Sequence, residues 1–302
     1  MMRIATIWRY ARIAAALLAF AAVPASAEAP APARLHPALW KVADADTTIY
    51  LFGTVHALPA GMDWLSGSLA AALDASDELV TEIVTPDPAA MQSAVLTMAV
   101  LPADQNLRAL LTAAQKVKFQ AALAGLGLPA EAFDRYKPWY AAVALATLPL
   151  LREGFSMSDG VEAALAARPG HDANGKRPQT ALETAQFQLG LFDALPLASQ
   201  VNYLAAVLDA LPTMSADTAR MIGAWGAGRP DELAAMLKTE ENDPLILDRL
   251  VVQRNRTWAN WVHARLARPG TVFIAVGAGH LTGDKSVQRQ LAVQGIASTR
   301  VQ

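Results

Sequence analysis

Two histidines follow the same short pattern near opposite ends of the sequence. Gly-x-x-His occurs at residues 53–56, directly after the apolar run 48–52, and again at 277–280, after the run 271–276. An uninterrupted run of β-branched and aromatic residues predicts a buried strand, and glycine lets the backbone turn sharply out of it. Because α/β sheets collect their ligands at strand ends, we expect His56 and His280 to emerge where ligands bind.

Four further polar residues occur where the pattern is otherwise apolar or changes from strand to helix. Glu82 lies near the end of the apolar run 77–84, where a carboxylate is costly to bury unless it is paired or bound to a cation; an exposed edge strand is the alternative. Glu183 follows a short strand and starts a helix, so it can simply complement the helix N-terminus. Arg254 and Asn255 fall within an apolar helical stripe, where a guanidinium needs an acceptor. For Arg254, a structural ion pair and substrate binding both stay open. The stripe consists of Leu247, Leu250, Val251, Trp258, Trp261 and Val262.

Composition and missing motifs exclude several classes of site. The chain has no cysteine, which removes disulfides, thiolate metal sites and cysteine nucleophiles. A net charge of −2 gives no electrostatic footprint for nucleic acid. The serine-hydrolase elbow, the His-Glu-x-x-His helix, the dinucleotide glycine motif and the P-loop are all absent. The other histidines, His36, His171 and His263, are predicted in a linker, a polar loop and a helix surface.

The N-terminus has the features of a secretory signal. Residues 1–27 combine early arginines, an apolar stretch and the small-residue sequence Ala25-Ser26-Ala27, which predicts cleavage after Ala27. The apolar stretch is short for a membrane span, so an uncleaved anchor is the weaker alternative and no stable span is expected after cleavage. Residues 28–36 form a linker and 37–302 the folded domain. We therefore expect a periplasmic or secreted protein.

Predicted strands lie mainly towards the two ends of the chain, and helices fill the middle. The longest helix is predicted over residues 244–268. The simplest architecture is an α+β fold with α/β-like character, in which a mixed β-sheet built from both chain ends carries a large helical insertion. Such a sheet would bring His56 and His280 together.

Several of these segments together resemble the TraB/GumN family. They are residues 50–59, Glu82 within 79–82, residues 182–184 with Gln188 downstream, the pair Arg254-Asn255, and residues 276–281. That family is similar to the Tiki metalloproteases and, more remotely, to erythromycin esterases. The resemblance implies a hydrolase-like site with paired Gly-x-x-His motifs and an essential glutamate, dependent on a divalent cation in the Tiki branch.

On this resemblance we expect an exported metal-dependent hydrolase, possibly a peptidase, acting on a peptide or small molecule. Mn²⁺, Co²⁺ or Zn²⁺ would be held by three side chains, with open positions for water. Arg254 with Asn255 would bind an oxyanion or a substrate carboxylate, and Glu183 would be a further ligand or the general base. The expected metal ligands are His56, Glu82 and His280, and the expected catalytic set is His56, Glu82, Glu183, Arg254, Asn255 and His280.

Two alternatives use the same residues differently. One is a periplasmic metal- or haem-binding protein without turnover. The other is a metal-free, esterase-like hydrolase in which His56 and Glu82 form an acid/base pair. Metal content and chelator-sensitive hydrolysis distinguish the three hypotheses.

Overall fold

The computed structural model describes residues 34–84, 87–171, 174–238 and 243–302. The predicted signal segment and most of the predicted linker lie outside these residues. Cleavage after Ala27 and export therefore stay predictions.

One sheet combines strands from both ends of the chain. It has six strands in the order β6-β4-β7-β2-β1-β8, and a separate two-stranded ribbon pairs β3 with β5. Strands β2, β4, β6 and β7 are parallel to one another, whereas β1 is antiparallel to both of its neighbours. This confirms the predicted mixed sheet, with β6 added from the middle of the chain. The strands are β1 (Leu39–Ala43), β2 (Thr47–Thr54), β3 (Leu58–Pro59), β4 (Glu78–Thr81), β5 (Phe155–Ser156), β6 (Gln179–Ala181), β7 (Gly270–Gly277) and β8 (Thr299–Arg300).

Helices make up most of the chain between β4 and β7. None of the described helices is by itself long and apolar enough to cross a membrane, although α6 and α7, bent by 99°, pass that test as a pair. The helices are α1 (Gly67–Asp74), α2 (Pro88–Met98), α3 (Ala113–Gly125), α4 (Pro138–Arg152), α5 (Val161–Ala167), α6 (Ala185–Asp193), α7 (Leu197–Ala210), α8 (Met214–Gly226), α9 (Pro230–Lys238), α10 (Pro244–Leu247), α11 (Gln253–Leu266) and α12 (Val287–Val293).

Apolar layers cover both faces of the sheet. Side chains alternate along a strand, so β2 places Phe52 on one face and Leu51 on the other. The Phe52 face packs against α1, α5 and α8, and the Leu51 face packs against α11 and α12. Helices α3, α4 and α7 form a core of their own around Phe119, Leu145 and Leu204, which is the centre of the predicted insertion.

The long helix predicted over 244–268 is interrupted. A π-helical turn at Asp248–Val252 separates α10 from α11. A π turn inserts a residue into the helical repeat, and such turns occur frequently at functional sites. The sequence does not reveal the interruption, because the apolar stripe continues through the π turn with Leu250 and Val251. The stripe nevertheless placed Arg254 and Asn255 correctly, since both are buried in α11.

Candidate active site

The parallel pairing of β2 with β7 brings the two Gly-x-x-His turns to the same edge of the sheet. Thr54 lies opposite Gly277 in this register. A Cβ atom on Gly53 would lie 3.0 Å from the Cα atom of Ala278, so glycine permits the close approach of the turns. A Cβ atom on Gly277 would lie 3.1 Å from Oε1 of Glu82 and 3.9 Å from Nε2 of His56. The two turns and Glu82 therefore converge on one place.

Glu82 is buried at the centre of this convergence. It follows β4, which lies between β6 and β7, so the alternative of an exposed edge strand does not apply. Its carboxylate accepts hydrogen bonds from the Gly277 backbone N–H (2.7 Å), Nη2 of Arg254 (2.6 Å) and Nε2 of Gln188 (2.8 Å). Burial alone would raise the pKa of Glu82, but the charge that His280 carries below about pH 4, the charge of Arg254 and the Gly277 N–H lower it to about 2. Glu82 is therefore ionised at neutral pH.

Arg254 forms ion pairs with both glutamates of the site, Glu82 and Glu183. Nε donates to Oε1 of Glu183 (3.0 Å), and Nη2 donates to Oε2 of Glu82 (2.6 Å) and Oε2 of Glu183 (2.9 Å). Nη1 donates to the Leu250 carbonyl and to Nε2 of His280, both at 3.0 Å. A guanidinium has five N–H groups, and all of them are used here. In this arrangement Arg254 has a structural ion pair and no donor left for a substrate oxyanion.

Glu183 faces Arg254 from the end of β6. Its backbone N–H donates to the Glu82 carbonyl (2.8 Å), which continues the β4–β6 pairing and holds the two glutamates side by side. Its carboxylate also accepts from Nε1 of Trp258 (2.9 Å) and from Gln188 (3.0 Å). Thr184, rather than Glu183, caps the N-terminus of α6.

His280 is held as a neutral imidazole. Its Nδ1 lies 2.6 Å from Oδ1 of Asn255, whose Nδ2 donates to the Lys285 carbonyl (2.8 Å), so Nδ1 carries the proton. Arg254 can only donate, so Nε2 carries the lone pair. Burial is the main cause that lowers the pKa of His280 to about 4, and the Arg254 charge adds to it. His280 and Asn255 therefore position Arg254.

His56 is the exposed histidine of the pair, with 59% of its side chain accessible. Its Nδ1 lies 2.6 Å from Oε1 of Glu162, and the Thr54 hydroxyl donates to the same oxygen at 2.6 Å. The hydrogen bond to Glu162 raises the pKa of His56 above its ordinary value and outweighs desolvation. We find no hydrogen-bond partner for Nε2 among the described residues. That nitrogen is available to a ligand.

The comparison with protein families agrees with this geometry. A family model described as TraB/PrgY/gumN matches residues 38–300. The chain belongs to the TraB/PrgY/gumN family. Searches of curated proteins and of solved structures gave no significant match. The predicted family membership is therefore confirmed, whereas the similarity to Tiki metalloproteases and erythromycin esterases stays a prediction.

The site of this TraB/PrgY/gumN member contains residues that the sequence did not single out. Glu162 lies in the first turn of α5, where an acidic residue commonly complements the helix N-terminus, so its pattern gave no signal. Gln188 belongs to the segments that carry the family resemblance but has no distinctive pattern of its own, and it donates to both Glu82 and Glu183. Outside the site, His171 binds the Asp74 carbonyl and His263 contacts Gln294.

The predicted metal ligands are close together but already engaged. Within the described ranges, no group of three or more His, Cys, Asp or Glu side chains is arranged to hold a metal ion. Arg254 donates to Nε2 of His280 and to Oε2 of Glu82, two of the atoms that would bind the ion. His56, Glu82 and His280 therefore do not fit a divalent ion in this arrangement, because the Arg254 guanidinium already binds two of these three side chains.

Proposed function

We propose that this protein is a hydrolase in which His56 is the general base. The observation that carries the proposal is Nε2 of His56, which has no hydrogen-bond partner among the described residues and, like Oε1 of Glu82, lies close to Gly277. The corresponding nitrogen of His280 is occupied by Arg254. Of the six candidate residues, His56 is the one whose side chain is mostly exposed.

The remaining groups support proton uptake by His56. Glu82 is ionised near neutral pH and cannot donate a proton there, but its negative charge favours the protonated form of His56. Arg254 and His280 keep Glu82 in place, so the charge stays fixed while a proton moves. Pre-organised charge of this kind needs no rearrangement during the reaction.

The proposed reaction is the attack of water on an ester or amide carbonyl. His56 Nε2 takes a proton from the water as its oxygen bonds to the carbonyl carbon. The protonated imidazole then gives that proton to the leaving oxygen or nitrogen as the C–O or C–N bond breaks. The substrate class is a peptide or a small ester, and export to the periplasm or cell exterior remains part of the proposal.

A metal-dependent hydrolase is the second candidate. It is favoured because both histidines have Nδ1 held by a side-chain oxygen, from Glu162 and from Asn255. Histidines that bind metals usually have this second partner, which directs Nε2 to the ion. Binding of Mn²⁺, Co²⁺ or Zn²⁺ by His56, Glu82 and His280 would require Arg254 to release His280. Metal or haem binding without hydrolysis is the non-catalytic outcome.

One experiment separates these functions. The purified protein is tested against fluorogenic peptides and nitrophenyl esters, with EDTA or with each added ion, as wild type, His56→Asn and the control His263→Asn. General-base catalysis predicts EDTA-resistant hydrolysis that falls about 10²- to 10⁴-fold in His56→Asn and is unchanged in the control. Activity lost in EDTA and restored by one ion would support the metal candidate. Full activity in His56→Asn would refute both catalytic roles of His56.

A further inference from the structure

The first turn of α5 is attached directly to the turn that carries His56. The Val161 backbone N–H donates to the Val55 carbonyl (3.1 Å). A Cβ atom on Gly160 would lie 2.0 Å from the His56 carbonyl oxygen, so only glycine permits this contact. The contact places the next acidic side chain, Glu162, against the imidazole. The backbone, rather than a flexible loop, therefore sets the position of Glu162.

Glu162 and Thr54 form a fixed acceptor for one nitrogen of His56. Oε1 of Glu162 lies 2.6 Å from Nδ1 of His56 and 2.6 Å from the Thr54 hydroxyl. An ionised carboxylate only accepts hydrogen bonds, so Nδ1 of His56 must carry a proton to make this contact. The Thr54 hydroxyl donates to the same oxygen, so Oε1 of Glu162 is the acceptor in both contacts.

We propose that Glu162 is a positioning residue that holds His56 in the Nδ1–H tautomer, with Nε2 directed to the site, and that Thr54 aligns Glu162. The effect of Glu162 on catalysis rests on the proposed function, whereas its effect on the His56 tautomer does not. The same tautomer is required whether Nε2 accepts a proton or binds an ion.

The two histidines of the repeated motif have chemically different partners. Asn255 gives His280 a neutral amide oxygen in a buried environment, and Glu162 gives His56 a charged oxygen in an exposed one. A carboxylate stabilises an imidazolium on the neighbouring ring, and an amide does so much less. Glu162 and Asn255 thus give the two histidines of the motif chemically different acceptors for Nδ1–H.

The tautomer of His56 can be measured directly. ¹⁵N-histidine NMR at about pH 9, above the ordinary histidine pKa, distinguishes Nδ1–H from Nε2–H. The His56 signals are assigned by their loss in His56→Asn. In the wild type His56 should be in the Nδ1–H form. Glu162→Ala should shift it towards the Nε2–H form. Glu162→Gln should keep the Nδ1–H form, because the amide oxygen still accepts the hydrogen bond. Thr54→Val should give a smaller shift than Glu162→Ala. Glu153→Gln, an exposed glutamate that pairs with Ser215, is the control.

Activity provides the second readout. Loss of such a partner typically costs about 10- to 100-fold, so kcat should fall by that factor in Glu162→Ala with KM little changed, and Glu162→Gln should retain more activity. An unchanged His56 tautomer in Glu162→Ala, with native far-UV circular dichroism, would overturn the inference. If Glu162→Ala does not fold, two other measurements decide. An unchanged His56 tautomer in Thr54→Val would overturn the proposal that Thr54 aligns Glu162. A mixture of His56 tautomers in the wild type would overturn the whole inference. A shifted tautomer in a protein without hydrolase activity would refute the proposed function and leave the positioning role in place.

Discussion

Replacing Arg254 by alanine should destabilise the protein more than any surface substitution. The guanidinium lies between Glu82 and Glu183, whose side chains are only 11% and 6% exposed. Its removal leaves two buried carboxylates without their cation and removes the donor to Nε2 of His280. Breaking a buried pair by deleting one partner typically costs about 3–5 kcal/mol. A domain of ordinary stability, about 5–15 kcal/mol, would lose a large part of its free energy of unfolding.

The pH dependence of this loss identifies its cause. In the wild type the pKa of Glu82 is lowered to about 2, so its contribution is present above its unfolded value of 4.5 and is lost as pH falls towards 2. Without Arg254, burial raises the pKa of Glu82, and its protonation relieves the repulsion between the two side chains. The cost of Arg254→Ala should therefore be larger at neutral pH than at about pH 5.

Urea unfolding followed by far-UV circular dichroism measures the effect. Arg220→Ala is the control, because Arg220 is 67% exposed and pairs with Asp217 one helical turn away, where solvent screens the pair and its loss should cost little. Arg254→Leu should be nearly as unstable as Arg254→Ala. Adding Glu82→Gln and Glu183→Gln to Arg254→Leu should recover stability, because no unpaired charge remains. A loss for Arg254→Ala no larger than that for Arg220→Ala would refute the ion-pair reasoning.

Two further predictions concern acid stability and export. The pKa of His280 is about 4 in the folded protein and 6.5 in the unfolded chain, so the unfolded chain binds a proton more readily. The free energy of unfolding should therefore fall by about 3 kcal/mol as pH drops from 6.5 to 4. Urea midpoints that stay constant over this interval would contradict the buried neutral imidazole. Protein recovered from the periplasmic fraction should begin at Glu28, because Ala25-Ser26-Ala27 is a cleavage sequence. Intact-mass analysis that finds a chain beginning at Met1 would disprove cleavage.

Periodicity in the sequence predicted which polar residues would be buried. Arg254 and Asn255 lie on an apolar helical stripe and Glu82 at the end of an apolar strand, and all three are buried. Their partners were not predictable in the same way. Periodicity fixes the face on which a side chain lies, whereas the pairing of Arg254 with Glu183 depends on where the segment after β6 lies relative to α11. The sequence therefore left a structural ion pair and substrate binding open for Arg254.

Glu162 was missed for a different physical reason. An acidic residue in the first turn of a helix is expected on electrostatic grounds alone, so its presence carries no information about a site. Its role arises from the contact between Gly160 and the His56 backbone, which is a tertiary contact. Only the folded arrangement of α5 against the first Gly-x-x-His turn brings the carboxylate to the imidazole.

The repeated Gly-x-x-His motif suggests two equivalent histidines, but the sheet makes them unequal. Parallel pairing sets Thr54, rather than Gly53, opposite Gly277, so the two turns are offset by one residue. His280 is buried against Arg254 and Trp258 of α11, while His56 stays exposed beside Glu162. A buried imidazole that accepts from a guanidinium cannot take up a proton near neutral pH, whereas an exposed one beside a carboxylate can. The same short sequence thus supplies a buried histidine at one strand end and an exposed histidine at the other.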